Sequence, residues 1–152
     1  MILAGKGPLE KKYRKLAEKL QNPIVMQFYE PERLIEILHM ADLYVHTSDA
    51  EIEAMSCMEA FACGLVPVIA DSPRSATPQF ALDERSLFPA GDSDALAERI
   101  DYWIEHPEER REMELRYAEH AKQYTLERSI ELTEEMFRQA IEEQKELNQT
   151  KP

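Results

Sequence analysis

The chain of 152 residues is long enough for one domain with a full hydrophobic core. Its composition, 43% hydrophobic and 32% charged, is that of a soluble globular protein, and no stretch approaches the roughly 20 apolar residues of a membrane span. A formal net charge of −12 argues against nucleic acid, which needs a basic face, and against adhesion of this chain to anionic lipid.

The start, MILAGKGP, lacks the charged n-region and the apolar length of a signal peptide, so a cytoplasmic location is the expectation. Short apolar, β-branched runs then alternate with helical patterns. ILAG (2–5), IVMQF (24–28), LYVHT (43–47), VPVIA (66–70) and SLFPA (86–90) read as buried strands. Helices are predicted over 8–20, 31–41 and about 53–63. The alternation predicts an α/β fold with a parallel sheet and right-handed crossovers. After residue 90 the chain turns helical, over 94–106, 107–124 and 125–148. Pro107 suits the first position of a new helix. The final NQTKP is expected to fray. Much of the acid lies in these last helices, where a solvated face accounts for it.

Cys57 and Cys63 lie six apart in one segment, about 9 Å of helical rise, too far for a disulfide. Two reduced thiols are expected. The histidines at 39, 46, 106 and 120 form no metal-ligand spacing, so no metal site is predicted.

Open parallel sheets bind ligands beyond the carboxyl ends of their strands. In GKGP, Gly5, Lys6 and Gly7 follow a strand and Pro8 suits a helix start. Such a turn brings backbone N–H groups to an anion, although many are only turns. HTSDAE crowds Thr47, Ser48, Asp49 and Glu51 at the end of the third strand. A helix cap by Ser48 or Asp49 explains one or two of them, not four. Glu59 crosses the apolar run EAMSCMEAFACGLVPVIA. It is either a surface position between Ser56 and Cys63 or a buried acid in need of donors, such as the two hydroxyls of a sugar diol. In DSD (92–94), a helix cap accounts for the acids better than a metal pair does. In SPRSATPQF, Pro73 and Pro78 bar a long helix, and Arg74 is either an anion contact or a surface residue.

Three stretches carry a resemblance. LAGKGPLEKKYRKLAEKL, ADLYVHTSDAEIEAMSCMEAFACGLVPVIA and SLFPAGDSDALAERIDYWIEHPEER cover most of residues 1–124. Their core is a pair of glutamates with seven residues between, Glu51 and Glu59, followed by Ala60, Gly64, Pro67 and Val68. In this the chain resembles the retaining glycosyltransferases of family 4, in the carboxyl-terminal half of their GT-B fold. The wording of EIEAMSC and SPRSATPQFALDERSLF is closest to bacterial lipid α-glucosyltransferases of the cholesterol and diacylglycerol type.

The resemblance implies a Rossmann-like half-domain with a helical C-terminal extension that binds a nucleotide sugar, UDP-glucose, for transfer of glucose to an acceptor such as a membrane lipid or sterol. Glu51 would bind the transferred sugar as the catalytic-site acid, and Glu59 the ribose hydroxyls. Gly5, Lys6, Gly7, Ser48, Ile52, Glu53, Ala54 and Met55 would complete the donor site, with backbone N–H groups meeting the diphosphate. No metal or other cofactor is required. The family commonly has Gly-Phe-Gly after the first glutamate; here Ile52, Glu53 and Ala54 stand there, which crowds the phosphate approach and adds a charge. The first strand and helix of the family's donor domain and its whole acceptor domain are not in this sequence. Residues 1–152 are therefore expected to be the donor domain, inactive alone, with membrane contact made by the other half. A non-catalytic nucleotide-binding or regulatory module is the alternative, and a helical interaction module resting on residues 94–148 a third.

Overall fold

The computed structural model describes residues 1–149 and divides the chain into two compact units, Met1–Ala41 and Asp42 onward. The first holds strand β1 (Ile2–Ala4), helix α1 (Glu10–Ala17), strand β2 (Val25–Gln27) and helix α2 (Pro31–Leu38). β1 and β2 pair in parallel, with Ile2 opposite Val25. Both strands were expected to be buried, yet all of β1 and the ends of β2 are exposed. Two strands of three residues leave two open edges, and α1 buries none of its residues. Pro8 does not open α1. A turn from the Glu10 N–H to the Gly7 carbonyl intervenes, and the helix starts at Glu10. Pro31 does take the first turn of α2, which buries Ile37 and Leu38.

The second unit carries the larger core. Its strands are β3 (Leu43–His46), β4 (Val66–Asp71) and β5 (Leu87–Pro89), parallel and in the order β3-β4-β5. The single sheet read from the sequence is thus two ladders, one per unit. β4 is central, and five of its six residues are buried, as a parallel strand covered on both faces requires. Pro67 lacks the N–H of a ladder residue. It lies opposite Tyr44, and β5 joins only from Ile69 on, so the gap falls where β4 has a single neighbour.

Helix α3 (Met55–Ala62) joins β3 to β4 and buries Cys57, Ala60 and Phe61, the spacing of one helix face. It ends on Gly64 at φ +84°, a left-handed residue. The Gly64 N–H bonds to the Phe61 carbonyl and the Leu65 N–H to that of Ala60, which satisfies the last turn. Between β4 and β5 the chain makes two short 3₁₀ turns, Thr77–Phe80 and Glu84–Ser86, so Pro78 does limit this segment to a single turn.

Helices α4 (Ser93–Glu105), α5 (Pro107–Ala121) and α6 (Leu126–Gln149) follow. Asp92 caps α4 by accepting from the N–H groups of Asp94 and Ala95 at 3.1 and 2.9 Å, so DSD is a cap. Pro107 opens α5. Trp103 of α4 and Tyr117 of α5 are fully buried with Phe61, Val66, Val68 and Ile69. α6 presents Ile130, Phe137 and Ile141 to solvent. Asn148 and Gln149, the start of the tail expected to fray, remain helical; the rest of that tail is outside the described residues. Both cysteines are free, and burial pushes the Cys57 thiol up to about 12.

Candidate functional site

The carboxyl end of β3 carries a set of polar side chains, His46, Thr47, Ser48, Asp49 and Glu51. His46 closes the strand and is buried, and the chain then runs exposed through Thr47 to Glu53 with only Ser48 and Glu51 half covered. Two stitches hold this loop to the segment after β4. Buried Ser72 sets its Oγ 2.7 Å from the Asp49 carbonyl and 2.8 Å from its carboxylate, while Arg74 pairs with the same carboxylate. Glu51 forms an isolated parallel bridge with Ser75: its N–H bonds to the Arg74 carbonyl at 3.3 Å and its carbonyl accepts from the Ala76 N–H at 2.9 Å. Arg74 is therefore an ion-pair partner of Asp49. Neither Ser48 nor Asp49 caps α3, because the cap position is Ala54.

Ala54 explains where α3 begins. Its backbone is left-handed, φ +40° and ψ +50°, so the right-handed helix starts at Met55 and not at 53. Of the two positions where the family commonly has glycine, 52 and 54, only Ala54 has a conformation that favours glycine. Ile52 is 91% exposed and Glu53 is also in solvent.

The backward turn of this loop brings its N–H groups onto the Glu51 side chain. The Ile52 N–H donates to Glu51 Oε1 at 3.0 Å. That bond first, then the N–H groups of Ala54 and Glu53, hold the carboxyl below the usual carboxylate range, against partial desolvation. His46 adds a smaller pull in the same direction, with its Nε2 4.0 Å from Glu51 Oε2.

Glu59 lies on the open face of α3, one turn beyond Ser56, and is exposed. Its acidity carries no burial cost, so the buried-acid alternative is removed. Tyr44 links α3 to His46. The Tyr44 hydroxyl is 2.8 Å from Ser56 Oγ and 3.0 Å from His46 Nδ1. Burial pushes that hydroxyl up to about 12, and the charges of Glu59 and Glu51 add to the rise. Tyr44, His46, Ser56 and Ser72 were not singled out from the sequence. The available signal was the alternation in LYVHT, which sends Tyr44 and His46 to one face of β3.

Gly5, Lys6 and Gly7 belong to the first unit. The Gly5 N–H bonds to the Gln27 carbonyl at 3.0 Å, and the Lys6 ammonium lies 4.4 Å from the centre of the Phe28 ring. Among the described residues no helix is long and apolar enough to cross a membrane.

Parallel strands with crossover helices, and a polar loop at the carboxyl end of β3, define a Rossmann-like α/β architecture. The family model for "Glycosyl transferases group 1" matches residues 1–124, and the chain belongs to that family. It is a glycosyltransferase, and membership implies an activated sugar donor and an acceptor. A solved structure, the catalytic domain of cholesterol-alpha-glucosyltransferase from Helicobacter pylori, is 49% identical with a TM-score of 0.78, over 82% of this chain and 78% of that one. No match was found among curated proteins.

Proposed function

We propose that the chain is the donor-binding part of a retaining hexosyltransferase that takes glucose from UDP-glucose and delivers it to a lipid or sterol hydroxyl. The observation that carries this is the Glu51 carboxylate in the loop after β3, which accepts the Ile52 N–H at 3.0 Å, with exposed Glu59 further along the helix that follows. The loop offers N–H donors to the diphosphate, at the start of α3 where the helix dipole adds to them. Glu51 accepts from the glucose hydroxyls, and Glu59 from the ribose diol. Ser48 and Met55 flank the loop.

In transfer, the bond between the sugar's anomeric carbon and the diphosphate oxygen breaks as the acceptor oxygen bonds to that carbon, and the acceptor's hydroxyl proton passes to the departing diphosphate oxygen. The charge left on the diphosphate falls on N–H dipoles already in place. The chemistry asks for no metal. The similarity to a cholesterol glucosyltransferase supports the choice of glucose and of a lipid acceptor. On this reading an acceptor-binding domain completes the enzyme and makes the membrane contact, and the chain alone transfers no sugar.

The test is an NMR titration with UDP-glucose, UDP and GDP-mannose, beside Glu59→Gln and Glu51→Gln. UDP-glucose is expected to shift residues 46–60. Glu59→Gln should weaken both uridine ligands, and Glu51→Gln only the sugar nucleotide. Equal loss of UDP and UDP-glucose in Glu51→Gln would remove the sugar-binding role, and sugar transfer by the purified chain would remove the need for a second domain.

A further inference from the structure

His46 presents an unusual combination. Its side chain is 8% exposed, its Nε2 has no hydrogen-bond partner, and that atom faces Glu51 Oε2 at 4.0 Å. A buried polar nitrogen without a partner is costly, and native structures rarely keep one without a use. On the other side of the ring, Nδ1 is 3.0 Å from the Tyr44 hydroxyl, which is 2.8 Å from Ser56 Oγ.

The proton arrangement follows from the charge at one end. A neutral imidazole carries one N–H. Were it on Nδ1, it would donate to Tyr44 and leave the Nε2 lone pair facing an anionic oxygen. With the N–H on Nε2, the ring offers a donor to Glu51, Tyr44 donates to Nδ1, and Ser56 donates to Tyr44. Every polar atom of the chain then has a suitable neighbour except the Nε2–H, which is about 1 Å beyond hydrogen-bond distance of Glu51.

We infer that His46 is a positioning residue for Glu51, fixed as the Nε2–H tautomer by Tyr44 and Ser56, and that it takes over the Glu51 carboxylate when the donor binds. The inference rests on the donor-site reading above. In the free chain Glu51 Oε1 is bound to the N–H of its own loop. Those N–H groups are the ones the diphosphate would engage, so the carboxylate must be released to a different donor. A small rotation brings Oε2 onto His46 Nε2–H. Glu51 then stays ionised, with its other oxygen aimed at a sugar hydroxyl.

Two measurements on the chain decide it. Long-range proton–nitrogen NMR of labelled histidine reports the tautomer without ligand: His46 is expected as Nε2–H, and Tyr44→Phe should mix the two forms. Titration with UDP-glucose and with UDP then reads the role. Tyr44→Phe and His46→Leu should weaken UDP-glucose about fivefold, the worth of one hydrogen bond, and leave UDP unchanged. His46→Gln, which keeps an amide N–H near Nε2, should restore most of the loss, a rescue that a merely structural role would not give. An Nδ1–H tautomer, or equal loss of UDP and UDP-glucose, overturns the positioning role while the donor site stands. Failure of both ligands to bind the native chain overturns the donor site and the positioning role with it.

Discussion

Two alanines on either side of the α3 start allow the strained loop to be tested by difference. Ala54 and Ala60 are both buried, at 4% and 0% exposure, so Ala→Gly removes one buried methyl at each, about 0.8 kcal/mol. Glycine in a helix costs about 1 kcal/mol relative to alanine, mostly through the freedom of the unfolded chain. Ala60→Gly should therefore destabilise by about 2 kcal/mol. Ala54→Gly carries the same methyl and unfolded-chain terms, but at φ +40° it also relieves a left-handed alanine, roughly 1–2 kcal/mol. Its net effect should lie between about 0 and 1 kcal/mol. Urea unfolding followed by far-ultraviolet circular dichroism and Trp103 fluorescence gives both values. Equal losses would mean that Ala54 is unstrained, and the account of where α3 begins would fall.

Gly64→Ala should cost about 1 kcal/mol in the same assay; the new methyl would meet only the Glu114 carbonyl at 3.8 Å, so the penalty is the left-handed backbone and not a clash. Tyr117→Phe should cost about 1–3 kcal/mol, because the Leu82 N–H now donates to the Tyr117 hydroxyl at 2.8 Å and would lose its acceptor; no change in the urea midpoint would show that water replaces it. The Asp83 carboxyl is held below its usual range by the Arg85 side chain. Its folded value is thus lower than its unfolded one, so its contribution is complete above the unfolded value, about pH 4, and is lost as pH falls through that value toward the folded one. Asp83→Asn should flatten the acid limb of the stability curve, and parallel limbs for the two proteins would refute the ion pair's role.

Much of the architecture was legible because its signals are local. VPVIA announced a strand covered on both faces, Pro107 a helix start, and Asp92 a cap, and each stands within a residue of its predicted place. Glu51 and Glu59 were legible as a spaced pair within a recognisable run. What the sequence hid depends on long-range pairing. The Ser72–Asp49 contact joins residues 23 apart, and nothing in either segment names the other. The Tyr44–His46–Ser56 chain needs β3 and α3 to be docked before it exists. The left-handed turn at Ala54 was hidden for another reason: alanine is a strong helix former, so the local signal pointed the wrong way. Pro8 failed similarly, since a proline suits a turn as well as a first helical turn.

Phe61 has a consequence for the direction in which Glu59 leaves the helix. Its ring packs against Phe80, Tyr117, His120 and Tyr124, with centroids 5.6, 6.1, 5.9 and 5.7 Å away. Two positions on a helix are about 200° apart around its axis, so Phe61 and Glu59 point nearly opposite ways. An aromatic clamp on one side therefore sets the azimuth of the acid on the other. Helix α3 cannot roll without breaking four ring contacts. The backbone direction at residue 59 is thus set when the core forms, and only the freedom of the side chain itself is left open.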